Sequence, residues 1–167
     1  LIDIRFPPGD ITLTPSPGGY TDTQSVGFGN IGVGNSVYYT LDGSDPVTSM
    51  WRILYTGEPF DIATTTTVKV FQVDRLGLMS DVVTAKYIIA PAPPDPVVTP
   101  VAGTYGAAQT VTIEKYTFDG EVHYTLDESD PRSSDATEYT GPFEVTSSAT
   151  LKTAQLDPNT GIWSGVV

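Results

Sequence analysis

The sequence predicts an all-β protein built from two tandem β-sandwich repeats. Three observations carry the prediction. The chain is rich in Thr, Val and Tyr (9 Tyr), which suit a pleated, half-buried surface, and in Gly (16) and Pro (14), which punctuate turns. No long stretch carries apolar residues at helical spacing. The second half repeats the first in register.

The repeat is most legible at Val37-Tyr38-Tyr39-Thr40-Leu41-Asp42-Gly43-Ser44-Asp45-Pro46, which recurs as Val122-His123-Tyr124-Thr125-Leu126-Asp127-Glu128-Ser129-Asp130-Pro131, an offset of 85 residues (37 to 122). Leu13-Thr14-Pro15 matches Val98-Thr99-Pro100 at the same offset, as do Tyr20 and Tyr105, and Gln24-Ser25-Val26 and Gln109-Thr110-Val111. Tyr55-Thr56-Gly57 matches Tyr139-Thr140-Gly141 at 84, Val68–Asp74 matches Leu151–Asp157 at 83, and Gly77–Ser80 matches Gly161–Ser164 at 84. The offset changes only between expected strands, where loops tolerate insertions.

Taken in order, short apolar runs bounded by turn residues place strands at Ile11–Thr14, Gln24–Phe28, Ser36–Leu41, Ile53–Tyr55, Thr66–Val73 and Asp81–Ile89. In the second repeat they fall at Val97–Thr99, Gln109–Glu114, Glu121–Leu126, Thr137–Tyr139, Thr150–Leu156 and Ser164–Val167. Alternation puts Val37, Tyr39 and Leu41 on one face, with Val122, Tyr124 and Leu126 as counterparts, and these are the expected core. The strand around Val68 has apolar residues on both faces, as a central strand buried on both sides would. Gly43 is replaced by Glu128, so the expectation is that this turn position does not strictly need positive φ. Residues 90–96, Ala90-Pro91-Ala92-Pro93-Pro94-Asp95-Pro96, read as a semi-rigid linker. The expected domains are therefore 1–89, 1–6 being an N-terminal strand, and 97–167.

The net charge of −12 repels nucleic-acid phosphate and anionic lipid, so neither is an expected partner. The absence of cysteine excludes disulfides, thiol catalysis and thiolate metal sites. No apolar run approaches membrane-spanning length, and membrane insertion is not expected. The chain starts at Leu1 without a signal peptide, as a processed product or an excised fragment would.

Tyr38–Pro46, then Tyr55-Thr56-Gly57, then Thr65–Val70, resembles the chitobiase/β-hexosaminidase C-terminal-type domain, and the resemblance covers nearly the whole chain, twice. It implies immunoglobulin- or fibronectin-like sandwiches: accessory or spacer units of secreted hydrolases, surface adhesins and phage structural proteins, without catalysis of their own. The fold class expected is thus all-β, two tandem immunoglobulin-like β-sandwich domains.

Candidate chemistry is sparse. The single histidine, His123, lies on the face opposite the core without a second metal ligand or triad partner. Asp42 and Asp45, with Asp127 and Asp130, offer oxygen ligands to Ca²⁺, the one cofactor considered. Asx-type turn capping accounts for the same aspartates without a metal. A tight surface turn also lacks the cleft that a pair of acid/base carboxylates needs. Trp51 sits in a loop with no aromatic counterpart in the second repeat, and with outward Tyr38 it is the candidate sugar-stacking surface. Trp163 aligns with Met79 and reads as packing.

The repeats differ at their ends. After Ser80 the first continues through Asp81–Ile89, whereas after Ser164 the second has only Gly165-Val166-Val167. Leu1–Phe6 alternates, with Ile2, Ile4 and Phe6 on one face. A sandwich short of its last strand invites strand addition from a neighbour. Leu1–Phe6 of one copy entering the second repeat of the next would build a head-to-tail filament or lattice. The alternative is a longer parent chain that continues after Val167. The expected role is a non-enzymatic structural, spacer or adhesion module of an extracellular, cell-surface or virion assembly, with other protein subunits as partners through self-association. A polysaccharide-binding accessory module of a secreted glycoside hydrolase is the alternative.

Overall fold

The computed structural model describes residues 6–116 and 119–167. The chain divides into two compact units, Leu1–Ala90 and Pro91–Val167. Among the described residues all of their regular structure is β. Ile2 and Ile4 of the expected N-terminal strand lie outside the described residues; Phe6 is 82% exposed.

In the first unit, β1 (Thr12–Thr14), β3 (Gln24–Gly29) and β6 (Phe60–Ile62) form an antiparallel sheet in the order β1-β3-β6. The facing sheet has the order β2-β8-β7-β4-β5, from β2 (Gly18–Tyr20), β4 (Ser36–Thr40), β5 (Ile53–Leu54), β7 (Thr66–Val73) and β8 (Val83–Ile89). All its pairs are antiparallel except β2 with β8, where Gly18 faces Tyr87. The inward residues of both sheets interdigitate as Val26, Phe28, Val37, Tyr39, Val68, Val70 and Tyr87, each buried. Phe28 is ringed by Tyr39, Tyr55 and Phe60, with centroids 4.8–5.5 Å away. β7 is central: Val68, Val70 and Gln72 are buried on its inward face, and Phe71 is buried on the other, against Tyr38.

The second unit repeats this plan with fewer strands. β9 (Val97–Thr99), β10 (Gln109–Glu114) and β13 (Phe143–Val145) form one sheet. β11 (Glu121–Thr125), β12 (Thr137–Glu138), β14 (Lys152–Asp157) and β15 (Ile162–Trp163) form the other, in the order β12-β11-β14-β15. Its buried core is Val111, Ile113 and Val122, flanked by Val98, Tyr124, Phe143 and Leu151. Among the described residues no strand stands where β2 and β8 stand in the first unit. Val167 alone pairs with Thr153 through two backbone hydrogen bonds of 3.0 Å, the register that Val83 holds on Val70.

Two sequence expectations need correction. Leu41 and Leu126 are 36% and 38% exposed, not core, because β4 and β11 stop one residue earlier. Thr40 and Thr125 are buried there instead, and their hydroxyls donate to the carbonyls of Ser44 (2.6 Å) and Ser129 (2.8 Å). The turn position that carries Gly43 or Glu128 does take positive φ in both repeats, 76° and 70°. A non-glycine residue pays a steric cost there from its Cβ against the backbone. Glu128→Gly is therefore expected to stabilise the second unit by about 1 kcal/mol, read as a raised urea midpoint. An unchanged or lowered midpoint would mean that the 3.2 Å bond from the Thr150 hydroxyl to the Glu128 carboxylate offsets the strain.

Candidate functional site

Each repeat carries the same loop after its β4 or β11 strand, and the two aspartates in it are turn caps. The Asp42 Oδ1 accepts from the Ser44 amide (3.0 Å) and hydroxyl (2.6 Å), and the Asp45 Oδ1 accepts from the Val47 amide (2.9 Å). In the second repeat, Asp127 accepts from the Ser129 amide (3.2 Å) and hydroxyl (2.5 Å). Asp130 accepts from the Arg132 amide (2.9 Å) and is gripped by that residue's guanidinium, with Nη2 at 2.7 Å. Pro46 and Pro131 are fully buried and anchor each loop to its sandwich. Among the described residues no group of three or more His, Asp or Glu side chains converges as a metal set.

These bonds favour the ionised carboxylates. The Ser44 hydroxyl and amide hold Asp42 below the usual carboxylate range, and Ser129 does the same to Asp127. The Arg132 side chain and amide hold Asp130 at about 2. A carboxyl with a lowered folded pKa contributes stability above its unfolded pKa and loses it as pH falls through the folded value. The Asp130–Arg132 loop is thus expected to be intact at pH 5 and to loosen progressively between about pH 4 and pH 2. The Arg132 amide shift in an NMR titration reads this directly; a midpoint near 4 would refute the grip.

Tyr38 lies on the outward face of β4, and Trp51 in the loop just before β5. Tyr38 stacks on Phe71 at 5.9 Å, and the Arg52 guanidinium lies over its ring, 4.7 Å from the centroid. Trp51 is 76% exposed, with exposed Met50, Ile53 and Leu54 beside it in the chain. Among the described residues its indole has no hydrogen-bonding partner; its backbone amide donates to the Ser49 hydroxyl at 3.1 Å. The face is open rather than a cleft. In the second repeat, His123 takes the place of Tyr38 and meets Trp163 edge-on at 5.3 Å, so that tryptophan is half-buried packing.

Sequence reasoning missed a repeated polar anchor. Gln72 is buried, and its Oε1 accepts from the Gly32 amide (2.9 Å) and the Asn35 side chain (2.8 Å). Its Nε2 donates to the carbonyls of Gly9 (2.6 Å) and Asn30 (3.0 Å). Its counterpart Gln155 is also buried and accepts from the Tyr116 amide at 2.8 Å. The Ser80 and Ser164 hydroxyls accept from the Gln72 and Gln155 amides. The available signal was a glutamine retained by both repeats inside an apolar strand.

The loops, aromatics and buried amides therefore build a scaffold, and the class they define is a tandem β-sandwich accessory module. The chain belongs to the chitobiase/β-hexosaminidase C-terminal domain family, whose profile matches residues 15–84 and again 100–164. That family is a non-catalytic module. A search of curated proteins found no sequence relative. Among solved structures, the fibronectin(III)-like modules of CbhA from Clostridium thermocellum are similar, at 14% identity and a TM-score of 0.48, over 94% of this chain and 90% of theirs. No helix is long and apolar enough to cross a membrane among the described residues.

Proposed function

We propose that the protein is a non-enzymatic structural spacer of an extracellular or particle-surface assembly, with other protein subunits as its partners. The observation behind this reading is the pair of sandwiches itself: both belong to one accessory-module family, and among the described residues no group of three or more His, Asp or Glu side chains converges. Intact mass and sedimentation of the native assembly test it. A 17.8 kDa chain that stays monomeric at all concentrations and binds no partner subunit would refute it. Head-to-tail self-association through Leu1–Phe6 is the form of this reading contained in the chain itself, and exposed Phe6 favours it. Deleting residues 1–6 would then dissolve the oligomers.

Calcium plays no part in this proposal, because hydrogen bonds within the turns already engage Asp42, Asp45, Asp127 and Asp130. Millimolar calcium is expected to leave the melting temperature unchanged, and a saturable rise would assign the loops a cation.

A second reading is favoured by one observation, the exposed indole of Trp51 in the loop beside the Tyr38 strand edge. An exposed indole stacks on a sugar ring, so this face would make the protein a polysaccharide-binding accessory module. Polysaccharide pull-down tests it: Trp51→Ala is expected to abolish any binding that depends on this face, with melting unchanged within about 0.5 kcal/mol, as for surface substitutions generally.

A further inference from the structure

The outward face of the first unit's larger sheet is basic, although the chain as a whole has a net charge of −12. Val68, Val70 and Gln72 of β7 point inward, so alternation turns Lys69 outward, between Thr40 of β4 and Thr84 of β8. Lys86 lies between buried Ala85 and Tyr87 on β8 and points the same way, opposite Thr67. The Arg52 guanidinium joins them over the Tyr38 ring. β2, β4, β5, β7 and β8 contain no acidic residue. Among the described residues the one ion pair is Arg132 with Asp130, so Arg52, Lys69 and Lys86 have no carboxylate partner. Trp51 and Leu54, 76% and 52% exposed, add apolar area beside these cations.

The matching face of the second unit is reversed. At the repeat offsets Ser36 becomes Glu121, Trp51 becomes Asp135, Arg52 becomes Ala136 and Leu54 becomes Glu138. Each of these changes makes the second face more negative by one charge. Glu138 pairs across from His123, the outward counterpart of Tyr38, and Glu121 lies two residues before His123 on the same face of β11. Glu121, Asp135 and Glu138 are all exposed. The lysine that this face keeps, Lys152, is occupied, because its ammonium donates to the Glu128 carbonyl.

We propose that the basic face of the first unit docks on the acidic face of the second unit in another copy of this chain. Arg52, Lys69 and Lys86 meet Glu121, Asp135 and Glu138, with Trp51 and Leu54 excluding water beside them. Complementary charge sets which faces meet. Two basic faces, or two acidic ones, would set like charges against each other, which costs free energy. The contact is therefore heterologous, one unit type on the other. The net charge of −12 on each copy opposes association, but at physiological ionic strength that repulsion is largely screened beyond about 8 Å, whereas charges brought together at the contact lie within that range. This rests on the connecting role proposed above and names the partner and the surfaces.

Two full-chain variants test it by sedimentation at 0.15 M salt: Lys69→Glu with Lys86→Glu, and Glu121→Lys with Glu138→Lys. The four side chains are exposed or half-buried, so both variants are expected to keep the wild-type melt. Should the first melt early, Lys69→Gln with Lys86→Gln gives the same reading at smaller amplitude. The wild type is expected to self-associate, and each variant alone to do so at least about 10-fold more weakly. An equal mixture of the two is expected to recover wild-type association, because each then presents a face of the sign the other lacks. Undiminished association in either variant, or a mixture that stays dissociated, would overturn the proposal and leave the connecting role on another surface. Oligomers lost only when residues 1–6 are deleted would overturn it too. A monomeric wild type that instead binds polygalacturonate through Lys69 and Lys86 would give this face to an acidic polysaccharide. A wild type that neither self-associates nor binds another subunit would refute the connecting role itself.

Discussion

Replacing Gln72 with leucine is expected to destabilise the first unit by about 2 kcal/mol, a large effect for one side chain. Leucine nearly matches glutamine in volume, so packing is conserved and the loss is polar. The amide makes four hydrogen bonds that tie β7 to the segments at Gly9 and at Asn30–Asn35, 37 to 63 residues away in sequence. With leucine present, the Gly32 amide and the carbonyls of Gly9 and Asn30 lose their partner. A fully buried unsatisfied group costs about 1–3 kcal/mol; Gly9 and Asn30 are exposed residues and Gly32 is half-buried, so water recovers part of the loss at each. Urea unfolding of the first unit reads the loss. A change below about 1 kcal/mol would mean that water replaces the amide and that the anchor is dispensable.

Periodicity and the repeat made most of the sandwich legible. β7, β9 and β10 start and stop where alternation and turn residues place them. β2 and β6, with their counterpart β13 and with β15, escaped; strands of two or three residues hold no full period, and the equally short β5, β9 and β12 were found from the apolar or β-branched residues beside the repeat matches. Leu41 and Leu126 were misplaced because alternation was carried one residue past the strand, into a loop whose conformation the Thr40 hydroxyl and Asp42 set. Gln72 was readable as a match between repeats but not as an anchor, since its four partners come from segments with no pattern of their own. The aspartate turns were open to two readings in the sequence, and only the distances to Ser44 and Ser129 give each carboxylate its capping partners. The shortened end of the second repeat was visible by alignment. How a sandwich of this kind closes along its central strand was not, and needed the pairing of β8 with β7 in the first unit as a template.

That template yields the second large expectation. Tyr87→Ala should cost the first unit about 4 kcal/mol, the range found when a buried aromatic is truncated in a core. The residue is fully buried, stacks on Tyr20 and bonds the Pro15 carbonyl, so the change opens a cavity and orphans an acceptor together. Tyr87→Phe keeps the ring and should cost only about 1 kcal/mol, the net worth of one hydrogen bond. Burial raises the Tyr87 phenol to about 12, so its contribution is complete below pH 10 and fades as pH climbs from 10 to 12. In the alanine variant the amides of Gly18–Tyr20 should exchange with solvent much faster, because β2 pairs only with β8. The first unit would then reproduce in itself the condition of Gly103–Tyr105 in the second. If Tyr87→Ala left both stability and β2 exchange unchanged, β8 would not be what closes this sandwich.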